Sequence, residues 1–263
     1  MSKLAGKILV VIGGTTGIGL SAAKAFIADG AKVVVVGRSA DNVMGAQKTL
    51  GKSAKALMGD ATNPKTAATA IQTGLEVFGG FHGLYHVAGG SGRQKGDGPL
   101  HEISDQGWEF TLNLNLTSMF HSNRAAVQQF LKQGTGGAIL NMSSVLGFSP
   151  SPRHFATHAY AATKAAIIGL TRSAAAYYAK QSIRFNALAP ALVATPMSKR
   201  AQSDSAILKF IKTKQPLDGG RIGQPGDLDA PAVYFMCDDS KFATGQVLAV
   251  DGGWCVSEGS AWE

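Results

Sequence analysis

The chain has 263 residues, 45% of them hydrophobic and 16% charged, with 25 basic against 17 acidic side chains and a net charge of +8. That supplies a large core, and no segment approaches the ~20 unbroken apolar residues of a membrane-spanning helix, so disorder, coiled coil and membrane protein are excluded as classes. The Lys and Arg residues are scattered, without runs or interleaved aromatics; this is not the footprint of a nucleic-acid binder, and it leaves an anionic cofactor or an acidic substrate as the partner of the charge.

In chain order, residues 7–12 form an apolar run too short for the core of a signal peptide and followed at once by glycines, which reads as a first strand. Ile18, Ala22, Ala25 and Phe26 then recur at helical spacing up to a stop at Asp29-Gly30, and residues 32–36 make a second strand, completing a β-α-β unit. Further strands are predicted at 54–58, 83–88, 138–142, 184–188 and 246–250, separated by helical stretches such as 64–78, 105–133 and 157–180. Seven strands alternating with helices predict one α/β domain over residues 1–263, with a parallel sheet covered on both faces. The alternation lapses at 89–98 and 195–226, and loops after strands are where such folds hold their sites. Cys237 and Cys255 have neither metal-ligand nor disulfide-framework spacing, which points to a reducing, cytoplasmic setting and to no metal centre.

Directly after the first strand, Gly13-Gly14-Thr15-Thr16-Gly17-Ile18-Gly19 opens the first helix. Glycines there permit a tight turn and let backbone N–H groups and the helix N-terminus reach a pyrophosphate, although glycines at such a junction also serve simply to pack strand and helix closely. The glycines that match are 13, 17 and 19, a spacing unlike G-x-G-x-x-G. At the end of the second strand an acid would accept from the ribose 2′-hydroxyl of NAD; the chain instead has Gly37-Arg38-Ser39, and an arginine fork suits the 2′-phosphate of NADP. NADP is therefore the expected cofactor. The alternative is that Arg38 is a solvated loop residue.

Tyr160 and Lys164, four residues apart at the head of the helix predicted over 157–180, share a face. A phenol that ionises at about 10 needs a cation beside it to shuttle protons at neutral pH, and Lys164 can be that cation. The pair alone is a weak pattern. It gains weight from the upstream strand, which ends in Ser143-Ser144 at the sheet's C-terminal edge, where ligands bind. Asn115 lies inside a long helical stretch where asparagine is a poor helix former; either its amide has a task or it is exposed or bonded to its own helix.

The glycine turn, Asp60 after the third strand, Ala88-Gly89 after the fourth, Asn115, Ser144, Tyr160 with Lys164, Asn186-Ala-Leu-Ala-Pro190 with Thr195, and Thr244-Gly245 with Val250-Asp251-Gly252-Gly253 together resemble the short-chain dehydrogenase/reductase family. The resemblance covers essentially the whole chain, in the Tyr-x-x-x-Lys branch, and is similar to the 3-oxoacyl-ACP-reductase-like members. It implies a Rossmann-type, doubly wound, three-layer αβα fold and an oxidoreductase that moves a hydride between nicotinamide C4 and a carbonyl or secondary alcohol carbon. It also implies Tyr160 as general acid/base, Ser144 rather than Ser143 polarising the carbonyl, Lys164 lowering the tyrosine pKa and holding the nicotinamide ribose, and Asn115 holding a water that links Lys164 to solvent. For the cofactor it implies Gly13, Thr15, Thr16, Gly17 and Ile18 in the turn, Arg38 and Ser39, Asp60 and Ala61 at the adenine, Ala88 and Gly89, Tyr160 and Lys164, Pro190, and Val193 and Thr195 at the carboxamide. Three positions depart from the family's pattern: Ile12 replaces a Thr, His86-Val87 an Asn pair, and Ala191 a Gly. His86 reads as a core histidine with its own partners.

Segments 91–100, 148–158 and 195–220 are the expected walls of a substrate cleft, with Arg93, Phe148, Arg153 and His154 as candidate substrate residues. Arg93, Lys95, Arg153 and His154 are expected at its mouth, either reading a negative charge on the substrate or as ordinary solvated charges. Glycines flanking 91–96 predict a mobile lid. The expected partner is a small carbonyl or alcohol compound, with neither nucleic acid nor membrane. A homotetramer is expected because helices 105–133 and 157–180 resemble the family's four-helix contact, where Ala161, Ala162, Ala165, Ala174, Ala175 and Ala176 would permit close approach. An NAD-dependent alcohol or sugar dehydrogenase, or a catalytically silent NADP-binding protein, are the alternative functions; cofactor titration separates the first, and the presence of Asn115, Ser144, Tyr160 and Lys164 weighs against the second.

Overall fold

Strands β1 (Ile8–Ile12, ILVVI) and β2 (Lys32–Gly37, KVVVVG) carry branched aliphatic side chains on both faces, so neither face can be left to water. In the computed structural model, which describes residues 2–259, they pair in parallel and are joined by β3 (Ala54–Met58), β4 (Gly83–His86), β5 (Gly137–Met142), β6 (Ile183–Pro190) and β7 (Val247–Val250). The sheet is wholly parallel with strand order β3-β2-β1-β4-β5-β6-β7. Residue 1 and residues 260–263 of the domain read from the sequence lie outside the described residues.

The helices are α1 (Gly17–Ala28), α2 (Ala40–Leu50), α3 (Thr66–Phe78), α4 (Asp105–Leu112), α5 (Ser118–Gln133), α6 (His158–Tyr178), α7 (Lys199–Ser203), α8 (Ser205–Lys214) and α9 (Asp229–Met236). Side chains alternate across a strand, so Leu9, Val11, Val33, Val35 and Tyr85 pack with residues of α1, α2 and α9, while Val10, Ile12, Val34, Val36 and Leu84 pack with residues of α3, α5 and α6. Burial of each such Val or Leu, and of Phe26 and Phe130 in the two helical layers, contributes about 1.5–3 kcal/mol. This is the parallel sheet covered on both faces that the alternation predicts, in the doubly wound, three-layer form that the resemblance implies. Among the described residues, no helix is long and apolar enough to cross a membrane.

The local departures from the sequence reading fall near the site. β4 stops at His86, short of residue 88, because the N–H groups of Val87 and Ala88 both donate to Ile12 O, at 2.8 and 2.9 Å. The helix expected over 105–133 is interrupted by a π-helical turn, Asn113–Thr117. Segment 195–226, where the alternation lapses, carries α7 and α8. The Asp204 carboxylate caps α8 by accepting from the N–H groups of Ala206 and Ile207, at 3.0 and 3.1 Å, and Ile207 and Ile211 bury themselves with Val145 and Trp254. The strand order reverses between β1 and β4, and at that reversal a parallel sheet opens a crevice beyond its carboxyl ends.

Candidate active site

The turn from β1 into α1 requires glycine. Gly13 has φ +86°, and a Cβ there would stand 2.6 Å from the backbone nitrogen of Ala88. α1 starts behind Thr16, whose side chain makes no capping bond, and its first turn carries no acid. Its positive dipole end and unsatisfied N–H groups are therefore available to an anion at the cleft wall formed by Thr16, Gly17 and Ile18.

At the other end of the cleft, Arg38, Ser39, Asp60 and Ala61 lie together, with Asn42, which the sequence reading missed. The Asp60 carboxylate accepts from the N–H and hydroxyl of Thr62, at 2.9 and 2.8 Å. Burial acts to raise its pKa, but those two bonds and the charge of Arg38 bring it below the ordinary carboxylate value. A Cβ on Gly37 would lie 2.7 Å from Thr15 Cγ2 and 2.8 Å from Thr15 Cβ, and closer still to its hydroxyl. No side chain fits at position 37 while Thr15 keeps its place, so an acid reading the ribose hydroxyl is barred sterically.

The third part of the site lies where β5 faces α6. The Ser143 hydroxyl donates to Lys164 O at 2.8 Å and ties α6 to the strand. Ser144 caps the turn Val145–Gly147, accepting from Leu146 N–H at 3.2 Å, and its own hydroxyl reaches Pro190 O at a weak 3.4 Å. Lys164 is 3% exposed; its ammonium donates to Met142 O at 2.9 Å and stands 5.3 Å from the centre of the Tyr160 ring. Burial alone brings Lys164 down to about 8. Burial also pushes the Tyr160 phenol up to about 12, against a lowering by the Ser144 hydroxyl. At neutral pH the pair is thus a protonated phenol beside an ammonium.

Asn115 stands behind the wall, fully buried in the π turn. Its Nδ2 donates to Gly90 O and Thr111 O, both at 2.9 Å, and its Oδ1 accepts from Gly90 N–H at 3.0 Å. A single-turn π segment at a functional site is a recurrent device, and here it turns an amide onto the segment after β4. His86, also buried, has Nδ1 3.0 Å from the Ser122 hydroxyl and Nε2 3.4 Å from that of Ser118. Burial and the charge of Lys164 hold its pKa at about 3, so it is a neutral core histidine with partners, as read from the sequence.

All of the implied cofactor residues, together with Ser144, line one cleft of about 370 Å³, within the ~300–1,000 Å³ of small-molecule sites. The substrate residues Arg93, Phe148, Arg153 and His154 do not line it. The His154 ring packs 5.1 Å from that of Phe210, and its carbonyl accepts from Arg200 Nη2 at 3.3 Å. Arg93 sits on the exposed one-turn helix Arg93–Lys95; partial burial lowers its pKa, as does the nearby charge of Arg200, while Asp97 opposes both. Phe148 and Arg153 are exposed. The expected lid, 91–96, is tethered directly behind its C-terminal end. Asp97, 4% exposed, accepts from the N–H groups of Ala159 and Tyr160, each at 3.0 Å, and Gly98 O accepts from His158 N–H at 3.1 Å. Asp97 escaped the sequence reading because Gly96-Asp97-Gly98 lies in a stretch read for its cations, and because Thr157 stands where a helix supplies its own cap.

A family model described as enoyl-(acyl carrier protein) reductase matches residues 13–255. The chain belongs to the short-chain dehydrogenase/reductase family. This short-chain dehydrogenase/reductase is 32% identical, over 97% of its length and 99% of the relative's, to 2,5-dichloro-2,5-cyclohexadiene-1,4-diol dehydrogenase of Sphingobium indicum. It is 33% identical, over 96% of its length and 98% of the relative's, to the NADP-dependent (R)-specific alcohol dehydrogenase of Lentilactobacillus kefiri. The structure of a short-chain type dehydrogenase/reductase from Mycobacterium ulcerans matches with a TM-score of 0.88 at 28% identity, covering 96% of this chain and 91% of that one. The protein is an oxidoreductase of a family that uses nicotinamide cofactors, acting on small molecules.

Proposed function

We propose that this enzyme, one domain over residues 1–263, is an NADP(H)-dependent oxidoreductase that interconverts a small carbonyl compound and its secondary alcohol. The observation that carries the reading is a single cleft with Ser144, Tyr160 and Lys164 at one end and Arg38, beside a barred position 37, at the other. Support for a phosphorylated dinucleotide comes from the Gly13 turn, which has no room for a side chain, from the uncapped α1 N-terminus, and from Arg38 in the cleft lining, whose guanidinium suits a 2′-phosphate. The L. kefiri relative is named for the same cofactor and for an alcohol substrate. The two cysteines are unpaired, in keeping with a cytoplasmic setting.

The first turn of α1 and the glycine turn would hold the diphosphate, Arg38 and Ser39 the 2′-phosphate, Asp60 and Ala61 the adenine, Ala88, Gly89 and Lys164 the nicotinamide ribose, and Pro190, Val193 and Thr195 the carboxamide side. When bound, the nicotinamide supplies or takes up the hydrogen and electron pair by which the ketone and the alcohol differ. In reduction, the Tyr160 hydroxyl gives its proton to the substrate oxygen as negative charge builds there, and the Ser144 hydroxyl donates a hydrogen bond to the same oxygen. The phenolate left behind is stabilised by the Lys164 ammonium. Asn115 holds the Gly90 backbone beside Lys164 and is assigned the water that returns the proton. The test is NADPH absorbance across a panel of ketones, keto sugars and steroid ketones, with NADP and alcohols in reverse; turnover of at least one pair is expected, and none at all contradicts the reading.

Cofactor choice is tested separately. Arg38→Ala is expected to weaken NADPH binding by roughly ten- to a hundred-fold, the value of a charge-assisted phosphate contact of about 1.5–3 kcal/mol, and to leave NADH binding unchanged. Fluorescence titration of both variants with both cofactors measures it, and a wild type that prefers NADH would overturn the assignment. The enzyme is also proposed to be a homotetramer. Trp108, Phe110 and Phe120 on α4 and α5, and Leu170 and Tyr177 on α6, expose apolar surface, whereas Ala175 is turned into the core and takes no part. Light scattering at micromolar concentration is expected to give four chains per particle; a monomer mass refutes it.

A further inference from the structure

We propose that Asp97 is a positioning residue for Tyr160: from the segment after β4, its buried carboxylate supplies the N-terminal cap that α6 lacks and so fixes the turn on which the phenol stands. The proposal rests on the assignment of Tyr160 as proton donor.

The first N–H groups of a helix have no partners within it. In α6 these belong to His158, Ala159 and Tyr160, and the first intrahelical bond is from Ala161 N–H to Thr157 O, at 3.0 Å. Thr157 precedes the helix but caps nothing; its hydroxyl reaches only Phe155 O, at 3.5 Å. All three orphan groups are satisfied instead by Gly98 O and the two Asp97 oxygens. A carboxylate at this place also complements the positive end of the helix dipole. The bond to Tyr160 N–H, 3.0 Å long, is made by the catalytic residue's own backbone.

Asp97 is itself held. Its N–H donates to Gly92 O at 3.1 Å, and a Cβ on Gly92 would touch Asp97 Cβ at 3.1 Å, so the two chains of this small loop are in contact. The start of the segment is gripped by Asn115, through both backbone groups of Gly90. The stretch from Gly90 to Gly98 thus runs as a strap from the π turn to the head of α6. Lys164, a turn deeper, depends on other bonds: its ammonium to Met142 O and its carbonyl to the Ser143 hydroxyl. Loss of the Asp97 cap should therefore move Tyr160 and leave Lys164 in place. A reacting group displaced by about 1 Å loses on the order of 10²-fold in rate.

The experiment compares Asp97→Ala, Asp97→Asn and Tyr160→Phe with the wild type. Amide exchange at Ala159 and Tyr160, measured without substrate, should speed up at least about tenfold in Asp97→Ala, since the opening of a single turn governs it, with no change around Lys164. With the ketone that the panel turns over fastest, kcat should fall roughly 10–100-fold in Asp97→Ala while NADPH affinity stays within about twofold. Asp97→Asn, which retains one acceptor oxygen and the side-chain shape, should recover a large part of both effects. Unchanged exchange at residues 159 and 160, or faster exchange with unchanged kcat, overturns the proposal. So does a loss of NADPH affinity matching the loss of kcat with Asn no better than Ala, which would mark a general structural role. A Tyr160→Phe variant that keeps more than about a tenth of the wild-type kcat removes the proton-donor assignment and the proposal with it, and is told apart because only that variant reports it.

Discussion

Tyr160→Phe is expected to lower kcat by about 10²–10⁴-fold, the usual value of a positioned general acid, while NADPH binds within about twofold of the wild type. The substitution removes one hydroxyl and keeps the ring, so the ring's place 5.3 Å from the Lys164 ammonium and the backbone bond to Asp97 both survive. A phenol held at about 12 enters the reaction fully protonated across the physiological range, so its supply of protons does not limit reduction there. Steady-state kinetics with NADPH and a ketone measure the loss, and retention of more than about a tenth of the wild-type kcat would contradict the assignment.

Lys164→Met should be as damaging to turnover, yet harmless or favourable to stability. A lysine lowered from 10.5 to about 8 by burial penalises the folded state by about 3 kcal/mol at pH 7, an order-of-magnitude figure. The sign follows from proton counts: between about 8 and 10.5 the unfolded chain binds more protons, so the penalty is present in full below that window and is relieved as pH rises through it. Methionine fills the volume without the charge. The same protonation predicts the pH profile of reduction, which requires Lys164 charged and Tyr160 protonated: the rate should be level below about 8 and fall above it, the phenol being protonated throughout. In Lys164→Met, kcat/KM should drop by at least about 10²-fold, NADPH affinity should weaken, and the alkaline limb should vanish, while Tm holds or rises. A variant with lower Tm and a profile still falling through pH 8 would place that limb on another group.

How much of this was legible in the sequence depends on how local each signal is. The branched runs of β1 and β2 and the glycine turn are local patterns, and they locate the first strands and the turn that walls the cleft; Asp60, Ala61, Pro190, Val193 and Thr195, which also line it, were read from the family resemblance. The cap and spacing of α8, Asp204 before Ile207 and Ile211, were equally local and were obscured only by the polar residues around them. What escaped arises between segments distant in the chain. Asp97 acts on a helix that begins at His158, and the fit of Thr15 against Gly37 joins a turn to the end of another strand. The burial that sets Tyr160 and Lys164 at opposite ends of their ordinary ranges is likewise a product of packing, not of their four-residue spacing. Arg93, Arg153 and His154 were read for charge and Phe148 as part of a wall, and charge does not say which way a loop turns: the His154 ring packs with Phe210, and Arg93 does not line the cleft of the cofactor residues.

The proposed reaction moves hydrogen from nicotinamide C4 to a carbonyl carbon, with the proton on oxygen coming from Tyr160. The most direct test supplies the enzyme with NADPH deuterated at C4 on the transferring face and a ketone that it turns over, and locates the label in the product by mass spectrometry and NMR. One deuterium is expected on the carbinol carbon and none on oxygen after exchange with water, with Tyr160→Phe forming the same labelled product about 10²–10⁴-fold more slowly. Label at a carbon–carbon double bond of an unsaturated ketone with the carbonyl left intact, or cofactor oxidation with no label in the product, would contradict it.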